Sequence, residues 1–173
     1  MTFFPVLESK YSCMPSRRAM LSALAAGAAG ALAGCNEPMT ATGYVQLKAV
    51  KGRRNGTTRD VIQVQLGEPE SKGVIDGFVE ERWADRFEDP KRPTVSAALH
   101  EDFESYYEEV TYLLGVCSND WPDAYCNNAS ADREDFNRVQ VYDEVRAAMA
   151  DSGIEIYGVE GTWTFPPERT TVE

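Results

Sequence analysis

The stretch Tyr44-Val45-Gln46-Leu47-Lys48-Ala49-Val50-Lys51-Gly52-Arg53-Arg54-Asn55-Gly56-Thr57-Thr58-Arg59-Asp60-Val61-Ile62-Gln63-Val64-Gln65-Leu66 decides the fold. Asn55-Gly56 at its centre is a two-residue hairpin signal, because a type I′ turn needs positive φ at both central positions and these residues tolerate it. Centring the turn there sets Val45 opposite Leu66, Leu47 opposite Val64 and Ala49 opposite Ile62, three apolar pairs on one face. Gln46–Gln65 and Lys48–Gln63 then share the other face. A one-residue slip would carry the apolar set to the wrong side, so the pattern predicts both a hairpin and its register.

Downstream of the hairpin, Val74 to Glu80 reads as a third strand, and the charged, proline-interrupted run from Asp85 to Pro93 as a loop. Between Val95 and Cys117 the apolar residues fit two periods. A short helix near Ala97 to Glu104 followed by a strand from Tyr107 to Ser118 is the preferred reading; a helix over 97–115 is the alternative. Asp132 to Asn137 reads as one helical turn capped by Ser130 or Asp132. Val139-Gln140-Val141 and Val145 to Met149 read as strands, with a helix as the other option for Ala147 to Met149. Asp151-Ser152-Gly153 is a turn, and Ile154 to Val159 a strand running on toward Trp163 and Phe165. Five to seven strands at short spacing predict a mainly β fold, a small antiparallel barrel or sandwich, with one or two short helices. The alternative is an α+β fold with the 97–115 helix. Val139-Gln140-Val141-Tyr142-Asp143-Glu144-Val145 is similar to the Val-x-Val-Gly-Asp-x-Val stretches of small β-barrel domains, with Tyr142 where those have glycine.

Ahead of this domain lies an export address. Ser16-Arg17-Arg18-Ala19-Met20-Leu21 closes a polar segment, an Ala/Gly/Leu-rich run comes next, and Leu32-Ala33-Gly34-Cys35 ends it. That order is signal-peptide grammar. The run is too short and too rich in alanine and glycine for a membrane-spanning helix. Arg17 and Arg18 resemble a Tat signal, with Met20 where Phe is usual and Ser22 where Lys is usual. The Leu-Ala-Gly-Cys box resembles a lipobox, which implies that Cys35 is lipidated and becomes the first mature residue. The expected organisation is a signal over 1–34, a tether over 35–43, one β-rich domain over 44–168 and a polar tail over 169–173.

Of 28 acidic and 17 basic residues, Glu8, Lys10, Arg17 and Arg18 fall in the first 34, leaving 27 acids against 14 bases over the 139 residues from Cys35. Only four of those bases are lysines. Together with the signal, this composition resembles Tat-exported surface lipoproteins of halophilic archaea, which implies a home on the outer face of the cell membrane. In such proteins surface carboxylates keep the molecule hydrated when salt screens ordinary charge interactions. The expected partner is the membrane, through the lipid, together with a protein or small molecule that the sequence does not specify. Nucleic acid is not expected, because neutralising phosphates requires a basic face.

With Cys13 in the signal and Cys35 at the lipid, Cys117 and Cys126 remain as an even pair outside the cell, and a disulfide is the expectation. Their spacing is not the CxxC of a redox site, and no further cysteine or histidine cluster completes a zinc site.

Catalytic signatures are missing from the sequence. His100 is the only histidine, which removes Ser-His-Asp and Cys-His nucleophilic sites and a blue-copper site, whose metal takes two histidines and a cysteine. It is read as a surface or capping residue. No cofactor and no metal is expected. The carboxylate groups Glu101/Asp102/Glu104, Glu108/Glu109 and Asp132/Glu134/Asp135 could serve a hydrolase only if two faced each other across a cleft. Trp83 and Trp163 are read as core or rim residues, and Trp121, on the cysteine loop, as a candidate ligand contact. Asn55-Gly56-Thr57 and Asn128-Ala129-Ser130 are sequons, each expected in a surface turn, so Asn55 and Asn128 are candidate N-glycosylation sites. The functional expectation is a non-catalytic binding or envelope-organising domain. A ligand-binding accessory of a transporter or sensor, and a carboxylate-dependent hydrolase, are the alternatives.

Overall fold

Asn55 and Gly56 turn the chain at φ +51° and +72°, the type I′ geometry that links two right-twisted strands. The computed structural model describes residues 40–68, 73–120 and 126–165. The turn joins β1 (Thr40–Arg54) to β2 (Thr57–Leu66), and β3 (Ile75–Val79) comes next. A 3-10 helix over Glu81–Arg86 and helix α1 (Ala97–Tyr106) lead to β4 (Glu109–Cys117) and β5 (Cys126–Ala131). Helix α2 (Arg133–Arg138), β6 (Asp143–Ala150) and β7 (Gly153–Thr162) complete the order. The fold is mainly β, with seven antiparallel strands and three short helical segments among the described residues.

The predicted hairpin forms, but its register holds only near the turn. From Arg54–Thr57 to Lys51–Asp60 the pairing is as expected; it then slips by one, so that Val50 faces Ile62, Ala49 faces Gln63 and Lys48 faces Val64. Val61 is the extra residue of this bulge. A second irregularity at Gln46, between Val45–Val116 and Leu47–Gly115, shifts β1 against β4. Each inserted residue switches the faces of the strand residues beyond it. The expected Leu47–Val64 and Ala49–Ile62 pairs therefore do not form, and Lys48, assigned by sequence to the polar face, is fully buried.

Long β1 organises the sheet. Its edge opposite β4 is shared, with β2 along its second half and β6 along Thr40–Tyr44. The path β3-β2-β1-β4-β5 is thus joined at β1 by β6 and β7. The far strands of the set β5-β4-β1-β6-β7 approach where Ser130 Oγ donates to Ser152 O (2.9 Å), but no ladder connects them. Hence the sheet curls without closing. The hairpin's second strand, β3 and α1 are an excursion inserted between β1 and β4.

Two apolar clusters fill the fold. The larger gathers Val45, Val50, Ile62, Leu114, Phe136 and Val145 under a lid of Trp83, Phe87, Leu99 and Phe103. The smaller, near the start of β1, holds Tyr44, Val64, Leu66 and Val141, with Trp163 and Phe165 against it. Both described tryptophans are thus packing residues. Helix α1 is N-capped by Ser96, whose Oγ accepts from Leu99 N. It ends at Tyr106, and β4 occupies the rest of the segment, which overturns the alternative helix over 97–115.

Three smaller expectations are corrected. Val139-Gln140-Val141 is not a strand; it is a buried connection, and its Val139 carbonyl is taken by a lysine side chain. Asp132 stands at the N-cap of α2 without a side-chain cap bond, and the other proposed cap, Ser130, binds Ser152 instead. Asn128 lies within β5 opposite Gly115, not in a turn.

Candidate functional site

Gly52 begins the site. A Cβ at this position would meet the Tyr107 ring at 2.5 Å, so only glycine lets that ring lie against β1. Tyr107 comes directly after α1 and is fixed by a chain of hydrogen bonds: Trp83 Nε1 donates to its Oη (3.0 Å), which donates to Glu80 Oε2 (2.6 Å). Burial first, and then the bond to Glu80, push the Tyr107 hydroxyl up to about 12, so it stays a donor across the neutral range.

Beside it, Tyr106 carries two guanidinium groups, Arg54 Cζ at 4.0 Å and Arg82 Cζ at 4.2 Å from the ring centroid. Gly52, Arg54, Asn55, Thr57, Arg59, Glu80, Tyr106 and Tyr107 together line a groove of about 250 Å³ at the hairpin tip. Among the described residues, Arg54, Arg59 and Arg82 have no carboxylate partner. Lys51 and Arg53, by contrast, are paired with Asp60 and Glu109. The residues from Lys51 to Arg59 include four bases and no acid, whereas from Cys35 onward acids outnumber bases about two to one. The tip thus presents arginines without a carboxylate partner, although Asp60, Glu80, Glu108 and Glu109 lie close by.

A second cavity of about 300 Å³ lies at the open edge of β3, lined by Val64, Ile75 to Val79, Pro90 and Lys91. Its Phe78 is half exposed.

Lys48 is the polar residue that sequence reasoning misplaced. Its Nζ donates to Pro93 O (2.8 Å), Val139 O (2.6 Å) and Gln140 Oε1 (3.1 Å), and lies 4.3 Å from the Phe136 ring centroid. Three acceptors match the three N–H bonds of an ammonium. Burial nonetheless lowers its pKa to about 7, against the pull of the Asp143 carboxylate. These bonds tie the loop before α1 and the connection after α2 to β1.

His100 Nδ1 shares a hydrogen bond with Tyr112 Oη (2.8 Å), and its Nε2 lies 3.4 Å from Glu104. Burial raises the Tyr112 hydroxyl to about 12. This trio lies on α1 and β4, outside both cavities.

The acidic groups singled out in the sequence are dispersed. Asp102 pairs with Arg86, Glu108 accepts from Asn55 N (3.0 Å), Glu109 pairs with Arg53, and Glu134 and Asp135 pair with Arg138. Among the described residues no cluster of three or more His, Cys, Asp or Glu side chains could hold a metal ion. Cys117 and Cys126 are bonded across β4 and β5, where they face each other. Asn55 sits in the groove wall, and Asn128 is exposed on β5 with its carboxamide over Gly115. Arg17, Arg18, Cys35 and Trp121 lie outside the described residues. Among those described, no helix is long and apolar enough to cross a membrane.

The groove escaped sequence reasoning because its residues come from three separate segments. The local signal was the acid-free run Lys51-Gly52-Arg53-Arg54-Asn55-Gly56-Thr57-Thr58-Arg59. No family model, curated protein or solved structure matches the chain.

Proposed function

We propose that this is a lipid-anchored protein of the outer cell surface whose β domain is a non-catalytic binding module, with the hairpin-tip groove as its binding surface. The observation that carries the reading is the convergence of unpaired Arg54 and Arg59 with Tyr106, Tyr107 and Glu80 in one groove of an otherwise acidic domain. Unpaired guanidiniums are pre-set donors for a planar anion. The export signal at Arg17 and Arg18 and the lipobox at Cys35 support the location. A hydrolase working through paired carboxylates is less well supported, since the groove offers one acid, Glu80, and the second cavity one, Asp76. A glycan on Asn55 would stand in the groove wall, so the reading requires that sequon to be free; Asn128 remains a candidate for modification.

Cell fractionation tests the proposal. Two acyl chains hold a protein on a membrane where one is marginal, so the wild type should stay with membranes and Cys35→Ser should be released. The released Cys35→Ser protein should rebind isolated cell envelopes, and adding Arg54→Ala with Arg59→Ala should weaken that rebinding at least tenfold. Membrane retention of Cys35→Ser contradicts the anchor. Undiminished rebinding of the triple variant contradicts the groove.

A further inference from the structure

We propose that the hairpin-tip groove binds an acidic sugar, a hydroxylated ring bearing one carboxylate, presented from beyond the cell rather than from the bilayer. The inference rests on the reading of the groove as the binding surface and names the ligand it takes.

The donors come first. Arg54 and Arg59 line the groove, and Arg82 shares the Tyr106 ring with Arg54. A guanidinium held against an aromatic ring keeps its N–H fork in one plane, and that fork matches a carboxylate in two parallel hydrogen bonds. Both bases that line the groove are arginines, which favours a planar, bidentate anion over a simple point charge.

The acceptor limits how much negative charge can enter. Glu80 lines the same groove, with Oε2 held by the Tyr107 hydroxyl and Oε1 left for a ligand. A carboxylate there repels a phosphate chain or any other dense polyanion. It accepts readily from hydroxyl groups, and Asn55 and Thr57 add a carboxamide and a hydroxyl to the wall. One anionic group accompanied by several hydroxyls satisfies arginines, glutamate, amide and threonine at once.

Size and place complete the case. A groove of about 250 Å³ suits a single ring unit and is too small for a helix or a folded partner segment. Strand β1 begins at Thr40, close in sequence to Cys35, and runs 15 residues to Arg54 at the groove. At about 3.3 Å per residue the groove lies up to roughly 45 Å along the strand from the tethered end. If Cys35 carries the proposed lipid, headgroups lie nearest in sequence to the Thr40 end of β1, and a surface or extracellular glycan is the source that can reach the Arg54 end.

Titration calorimetry on the detergent-solubilised protein tests this with three probes in 0.1 M KCl: galacturonic acid, neutral galactose and inorganic phosphate. Galacturonate should bind, galactose at least tenfold more weakly, and phosphate not measurably. Arg59→Lys keeps the charge but removes the fork, and should weaken galacturonate binding about 10- to 100-fold. Thr57→Val should weaken it by a smaller factor, with unfolding temperature unchanged in both variants. Phosphate or galactose binding as well as galacturonate, no binding of galacturonate, or full affinity in Arg59→Lys would each overturn the acidic-sugar assignment. If those failures come with intact, arginine-dependent rebinding to envelopes, the groove remains the binding surface and only its ligand is wrong. If rebinding is also independent of Arg54 and Arg59, both readings fall.

Discussion

Lys48 shows how far one residue can depart from its local pattern. In sequence it alternates with apolar neighbours and belongs outside; the bulge at Gln46 on β1 puts it on the same inward face as Val45 and Val50, where three acceptors surround its Nζ. Its pKa in the fold is about 7 against 10.5 for an ordinary lysine. Between those values the unfolded chain binds more protons, so stability rises with pH across that window, by at most about 1.4 kcal/mol per pH unit. Below about pH 7 both states are charged and the burial penalty is fully present. Tyr107 and Tyr112, raised to about 12 from 10.0, act in the opposite sense: above about pH 10 the unfolded chain ionises first and stability falls. Denaturant unfolding should therefore show a rise from pH 7 to 10 and a decline beyond. Lys48→Met should flatten the rising limb and leave the alkaline decline. An unchanged rise in that variant would assign it to another group.

Elements were more legible than their junctions. The Asn55-Gly56 turn, the strands of the first hairpin, the short helix before β4 and the last hairpin about Asp151-Ser152 all arise from turn chemistry and alternation. The register beyond Lys51 does not, because Val61-Ile62 offers two adjacent apolar residues and either one can face the core. Val139-Gln140-Val141 alternates like a strand, yet Val139 O is taken by Lys48, which no local pattern could reveal. Tyr142, standing where glycine is usual, has φ +84°, and its N–H donates to Val45 O (2.9 Å) at the point where β6 joins β1. The site was least legible of all, since its arginines, tyrosines and glutamate meet only after β1, the 3-10 helix and α1 are assembled.

The whole molecule is governed by charge and by one covalent staple. With 27 acids against 14 bases from Cys35 onward, self-repulsion extends about 30 Å in 0.01 M salt and about 3 Å in 1 M salt. The Cys117–Cys126 bond joins β4 to β5 over a sequence separation of 9 and restricts mainly the unfolded chain, a contribution of about 2.5–3 kcal/mol. Thermal unfolding in dilute buffer and in molar KCl, each with and without reductant, should separate the two effects. Salt should raise the melting temperature, and reduction should lower it by roughly 10 °C in both media. A melting temperature indifferent to salt would contradict the halophilic reading, and one indifferent to reductant would deny the bond a stabilising role. On the same scale, the β3 edge, with half-exposed Phe78, competes with the hairpin-tip groove as the contact surface. Backbone hydrogen exchange of the protein bound in isolated envelopes, compared with the detergent-solubilised form, distinguishes them most directly. Binding through the groove predicts added protection at Gly52 to Arg59, Glu80 to Arg82 and Tyr106 to Tyr107; protection at Ile75 to Val79 instead, with the hairpin tip unchanged, would contradict it.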